Sequence, residues 1–126
     1  MNFKTPLSKV RGLGSAKAGT GHFWMQRMTA ITLIPLSLWM VNYTEQLLSA
    51  SYQEMINSLI GPLDTSLAVA WVIAAFYHAA LGLQVIIEDY VHTEWRKITA
   101  IWAMKFAFIF GAIAAMIAIF RISLIG

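Results

Sequence analysis

The sequence contains no cysteine. That absence removes disulfides and every thiolate metal site, cysteine-held iron–sulfur clusters included, so any metal or cofactor has to be held by histidine or by oxygen ligands. Charge is scarce as well: Asp, Glu, Lys and Arg make up 12% of the chain, against about 25% in soluble domains. Six acids stand against nine basic residues, a formal charge of +3. This excess does not point to nucleic acid. The basic residues gather ahead of the first apolar segment, where membrane proteins carry their topology signals. No short apolar core with a small-residue cleavage site precedes that segment, so the start does not read as a removed signal peptide. The run RGLGSAKAG has neither the spacing of a phosphate-binding loop nor a strand ahead of it.

What is present is apolar, at 59% hydrophobic residues. A chain of 126 residues has too little interior to bury three long apolar segments in water. The expected fold is therefore all-α: an integral membrane bundle forming one anchor domain over 1–126. Transmembrane helices are predicted at about 23–48, 66–91 and 98–125. Residues 1–21, with Lys4, Lys9, Arg11 and Lys17 among Gly12, Gly14, Gly19 and Gly21, read as a basic arm in which glycine disfavours regular helix. The loop over 49–65 holds Glu54 and Asp64 but no Lys or Arg, whereas Arg96 and Lys97 follow the second apolar run. By the positive-inside rule the amino terminus is cytoplasmic. Within that loop MINSLI predicts a short interfacial helix before the Gly61-Pro62 break.

Pro35 is a candidate kink in the first helix, where Thr29, Thr32 and Ser37 can bond their own backbone. Trp24, Tyr90, Trp95 and Trp102 fall near one expected membrane interface, and Trp39, Tyr43 and Trp71 near the other. Ala107, Gly111 and Ala115 form a small-residue stripe suited to close helix packing. Lys105 and Arg121 sit where they can snorkel to opposite interfaces.

The stretch from Leu67 to His92, LAVAWVIAAFYHAALGLQVIIEDYVH, carries the chemistry. His78 lies deep in its apolar part, where lipid cannot satisfy a ring nitrogen. Three uses stay open: a hydrogen bond to a neighbouring helix, a proton relay, or an axial bond to haem iron. Ala74 and Gly82, four residues to either side, leave room for something flat and bulky. No other histidine falls at membrane depth, so a second axial ligand would come from another subunit. Arg27, about a turn inside the first helix, either snorkels to the headgroups or, with His22 and Gln26, turns toward anionic haem propionates. Eleven residues separate His78 from Asp89, which brings both within about 20° on one helix face, about 16 Å apart. Asp89 and Tyr90 are either a charged helix end at the membrane surface or an acid and a phenolic donor for a quinone headgroup. Glu88 and His92 are the weaker candidates beside them.

The run HAALGLQVIIEDYVH, His78 to His92, resembles the second-helix signature of the hydrophobic membrane anchor family of succinate dehydrogenases, and RGLGSAKAGTGHFWMQRMTA, Arg11 to Ala30, is similar to the amino-terminal segment of its alpha-proteobacterial members. The resemblance covers essentially the whole chain. It implies that His78 is an axial ligand of haem b shared with a cytochrome b556-type partner anchor subunit. It further implies that Tyr90 bonds the carbonyl of ubiquinone, the substrate, with Asp89 beside it, and that Arg27 lies near the propionates; His22 matches less closely. Implied partners are an iron-sulfur subunit, a flavoprotein subunit, membrane lipid and quinone, with no nucleic acid. The implied location is the bacterial inner (cytoplasmic) membrane, ahead of the mitochondrial inner membrane. Rival readings are a fumarate reductase anchor, a small proton-relay or transport subunit using His78, and a structural anchor without haem.

Overall fold

The computed structural model describes residues 5–7 and 17–125. Most of the basic arm, including Lys4, Lys9, Arg11, Gly12 and Gly14, lies outside them. Among the described residues the elements are four helices and no strand: α1 (Lys17–Ser49), α2 (Tyr52–Ile60), α3 (Pro62–Tyr90) and α4 (Glu94–Ile125). All three long helices start earlier than the sequence predicts. In α1 this makes Gly19 and Gly21 helical, where an extended arm is expected from glycine content. Nothing lies within 4 Å of a Cβ placed on Gly21, so neither a turn nor a close contact requires glycine there. α1 also runs unbroken through Pro35.

Local chemistry sets the loop. Ser51 caps α2 through a reciprocal box: its Oγ accepts from the Glu54 N–H at 3.4 Å, while the Glu54 carboxylate accepts from the Ser51 N–H at 2.8 Å. The Gly61 N–H closes α2 on the Ser58 carbonyl at 3.1 Å. Pro62 then opens α3 at a position where its missing N–H is no loss.

α3 and α4, at 29 and 32 residues, are long and apolar enough to cross a membrane; a hydrocarbon core of about 30 Å takes about 20 helical residues. Of the three expected spans these two meet both criteria. α1 has the length, at 33 residues, but Thr29, Thr32, Ser37 and Asn42 interrupt its apolar character. Thr29, Thr32, Asn42 and Thr44 each donate to the carbonyl four residues back, at 2.7 to 3.0 Å, which satisfies those side chains within the helix.

The long helices share α3, which packs against both α1 and α4, while α2 rests on α3 and α4. Three contacts fix the antiparallel register of α1 on α3. Gln26 lies against Gly82, its Nε2 being 3.5 Å from a Cβ placed there; the Thr29 hydroxyl meets His78 Nδ1 at 3.0 Å; and the Trp71 indole N–H donates to Ser37 Oγ at 3.1 Å. On the other side Phe76 and Phe108 meet edge to face at 5.9 Å. Phe76 also lies so close to Gly111 that a Cβ there would be 2.8 Å from its ring. Gly111 thus serves the packing expected of the small-residue stripe, whereas Ala107 faces outward.

Two aromatics expected as membrane anchors have internal partners. Tyr43 is 6% exposed, stacks on Trp39 at 4.8 Å and accepts from the Ser58 hydroxyl at 3.2 Å; Trp71 directs its N–H at Ser37. The core is otherwise thin, formed by Ala68, Val72, Ala74, Leu81 and Met104. Large apolar side chains face outward instead: Ile31, Ile34, Leu38 and Val41 along α1, Phe106 and Phe110 on α4. An apolar exterior this extensive suits lipid or partner protein rather than water.

Packing at Gly111 and the cap of α2 each give a testable outcome. Gly111→Val pushes Phe76 off α4 and lowers the thermal stability of the detergent-solubilised protein, by an overpacking cost of about 1–3 kcal/mol, with Gly111→Ala closer to the parent. Hydrogen bonds from the Ser51 backbone and side chain hold the Glu54 carboxyl below its ordinary value of 4.5. A lowered acid stabilises the folded form above its ordinary value and ceases to do so as the pH falls through the lowered one. Amide protection over 52–60 therefore drops on acidification below 4.5, and Glu54→Gln removes that dependence.

Candidate functional site

His78 sits in the interior of α3 and is half-buried. Its Nδ1 lies 3.0 Å from the Oγ1 of Thr29, a residue 8% exposed whose hydroxyl is also 2.7 Å from the Met25 carbonyl and 3.1 Å from that of Gln26. His78 Nε2 has no hydrogen-bond partner among the described residues. A neighbouring helix thus engages one ring nitrogen and leaves the other open. The small residues beside His78 are not vacant ground: Gln26 occupies the space over Gly82, and Ala74 is buried in the bundle. They let neighbouring helices approach the imidazole closely.

His22, Gln26 and Thr29 follow one another at four- and three-residue spacing, which puts them on one face of α1. Buried without a hydrogen-bond partner on that face are His22 Nε2 and Gln26 Oε1. A desolvated polar atom left unpaired is costly, so these two atoms carry hydrogen-bonding capacity that the described residues do not meet. Arg27 is not brought onto this face. Its side chain is exposed and its guanidinium lies 5.0 Å over the Phe23 ring. The one ion pair among the described residues is elsewhere, Lys97 with Glu94 at 3.6 Å.

α3 continues without interruption to Tyr90, so His78 and Asp89 share a helix face. Glu88 and Asp89 end the helix with no basic residue in its last turn. The carbonyl end of a helix disfavours negative charge, so packing alone gives no reason for two acids there. Glu88 accepts from Gln84 Nε2 at 2.8 Å, whereas Asp89 has no partner among the described residues. Tyr90, 79% exposed, borders an open cavity of about 490 Å³ with Val91, His92, Thr93, Arg96 and Ala100. Asp89 is adjacent in sequence but does not line it.

Two contributors escape a reading of the sequence. Thr29 looks there like any hydroxyl bonding its own helix, and no local pattern marks it as the partner of His78. Arg96, taken as a topology signal, lines the cavity at Tyr90, with its guanidinium 5.3 Å over Trp95.

Residues 1–119 match the profile of the succinate dehydrogenase/fumarate reductase transmembrane subunit. The chain belongs to that family. Among its relatives, the succinate dehydrogenase hydrophobic membrane anchor subunit of Rickettsia bellii is 35% identical over 119 residues, covering 94% of this chain and 95% of the relative. The protein of the same name from Paracoccus denitrificans is 26% identical over 126 residues, covering 100% of this chain and 95% of the relative. A succinate dehydrogenase membrane anchor subunit from Reclinomonas americana is 31% identical over 93 residues, covering 71% and 77% of the two chains. No solved structure matches the chain. The family resemblance carried by His78 to His92 and Arg11 to Ala30 thus holds over nearly the full length.

In this transmembrane subunit Gly82 lies on the seam where α1 meets the His78 region of α3. Gly82→Ala makes only an ordinary contact with Gln26 and leaves stability within about 1 kcal/mol of the parent. Gly82→Leu has to displace Gln26, opens the seam beside His78 and lowers the melting temperature of the solubilised protein.

Proposed function

We propose that the chain is the hydrophobic membrane anchor of a succinate:ubiquinone oxidoreductase, spanning the bacterial inner membrane three times with its amino terminus in the cytoplasm. α1 is the third span; its back-bonded Thr and Asn side chains make its polarity tolerable in lipid. The observation that carries the reading is His78, tethered through one nitrogen, with its second nitrogen unbonded in the interior of an apolar helix.

An imidazole in that condition fits axial ligation of haem b, and the unpaired atoms of His22 and Gln26 fit the polar edge of such a group. Haem when bound supplies a one-electron redox centre. Of the other two histidines, His22 lies near the start of α1 and His92 beyond the end of α3, so His78 is one ligand and a cytochrome b556-type partner anchor supplies the other. Arg27 lies on a different face of α1, with its guanidinium over Phe23, and would have to leave that ring to reach a propionate.

Ubiquinone is the substrate at the cytoplasmic end. Its reduction to quinol takes two electrons, delivered through the iron-sulfur subunit, and two protons. The Tyr90 phenol donates a hydrogen bond to a quinone carbonyl in the cavity it borders, and Asp89, without a competing partner among the described residues, relays protons from water. Succinate is handled by the flavoprotein subunit, not by this chain. A proton-relay reading needs a second titratable group bonded to His78; among the described residues the ring bonds the Thr29 hydroxyl, and Lys105 is exposed on α4 with its Nζ 5.9 Å over Trp102. The relatives quoted are named for succinate dehydrogenase, which favours that enzyme over fumarate reductase.

The reduced-minus-oxidised optical spectrum of the purified complex tests the ligand: His78→Ala loses or shifts the haem band, and an unchanged band removes His78 from the iron. Tyr90→Phe lowers succinate-driven quinone reduction about tenfold while succinate oxidation with an artificial dye is retained. Equal quinone turnover in the two proteins would take the donor role from Tyr90.

A further inference from the structure

We infer that Thr29 is a positioning residue that fixes the tautomer of His78 and strengthens its free nitrogen as a ligand, an inference that rests on the haem reading above. The Thr29 hydroxyl has one proton and three polar neighbours: the Met25 carbonyl at 2.7 Å, His78 Nδ1 at 3.0 Å and the Gln26 carbonyl at 3.1 Å. A proton aimed at His78 would leave two carbonyl oxygens facing the hydroxyl lone pairs, one at 2.7 Å with no hydrogen between the oxygens. That arrangement is repulsive. The proton therefore points to the Met25 carbonyl, the back-bonding geometry of a helical threonine, and the hydroxyl oxygen accepts from His78.

The consequence for the ring is definite. A neutral imidazole carries one N–H, and here it is on Nδ1, which leaves the lone pair on Nε2. The relay from His78 N–H to Thr29 O–H to the Met25 carbonyl is cooperative, because each donor is polarised by the next acceptor. It draws the Nδ1 proton away from the ring and makes Nε2 the stronger donor, as an outer hydrogen bond does for other metal-bound histidines. A stronger donor favours ferric over ferrous iron. Thr29 is 8% exposed, so water has little access to replace its hydroxyl.

The test compares the assembled complex carrying Thr29→Val, which keeps the shape and loses the hydroxyl, with Thr29→Ser, which keeps the hydroxyl, and with the parent. The readouts are the haem midpoint potential by optical redox titration and the low-spin electron paramagnetic resonance g-values of the oxidised complex. Thr29→Val is expected to lose about tenfold in ferric-over-ferrous preference, a rise of about 59 mV for a one-electron couple, with shifted g-values and retained haem. Thr29→Ser stays at the parent value. A Thr29→Val complex with the parent's potential and g-values overturns the inference, as does Thr29→Ser shifting as far as Thr29→Val, which would mean that packing and not the hydroxyl matters. A parent complex without a haem band refutes the haem reading itself and is told apart by that spectrum alone. If Thr29→Val does not assemble, the His78 Nδ1–H resonance of the reduced parent decides. A downfield, slowly exchanging Nδ1–H supports the hydrogen bond to Thr29, and one at the position of a free imidazole N–H refutes it.

Discussion

A hydrogen bond between the Thr29 hydroxyl and the His78 ring ties the first long helix to the central one, and the rest of the arrangement is built around satisfying, or leaving open, polar groups in an apolar bundle. In lipid no water completes a missing hydrogen bond. Every polar side chain turned inward therefore needs a partner from the protein or from something the protein holds. Gln26 over Gly82, Thr29 on His78 and Trp71 on Ser37 form one seam, and a slip of α1 along α3 would break all three.

The polar groups divide by position along that seam. Toward the end where α2 lies the inward-facing hydroxyl and indole groups are paired within the chain: Trp71 with Ser37, Tyr43 with Ser58, Thr65 with the Leu59 carbonyl and with Ser123. Toward the other end, where α1 begins and α3 finishes, His22 Nε2, Gln26 Oε1, His78 Nε2 and the Asp89 carboxylate lack partners among the described residues. One half of the bundle is closed chemistry and holds the helices together. The other half leaves polar atoms open among the described residues, and the proposed haem and quinone contacts fall there. Membership of the succinate dehydrogenase/fumarate reductase transmembrane subunit family accords with that asymmetry.

Composition and apolar length made the helical bundle legible, and the isolation of His78 in apolar sequence made it stand out before any contact was known. Asp89 and Tyr90 stand out in the sequence for a related reason, as polar groups at the end of a long apolar helix, and the quinone role given to them is the proposal made above. The MINSLI reading covers only the later part of α2 and misses its start, which the Ser51–Glu54 capping box sets. What sequence periodicity does not carry is pairing between helices. Thr29 and Thr32 look alike on α1, yet only Thr29 meets a histidine; Ser37 looks like another back-bonding hydroxyl and instead receives the Trp71 N–H. Tyr43 reads as a membrane anchor because aromatics usually are, and is drawn inward by a core short of large side chains. Arg27 and His22 lie close in sequence but on different faces, and only the facing helix reveals which of them joins the column leading to His78.

A density map of the assembled complex tests the central claim most directly. The account predicts porphyrin density bonded to His78 Nε2, with Nδ1 still on the Thr29 hydroxyl and a histidine of the partner anchor on the opposite face of the iron. A His78 ring whose Nε2 meets lipid, or an ordinary carbonyl with no porphyrin beside it, would contradict it.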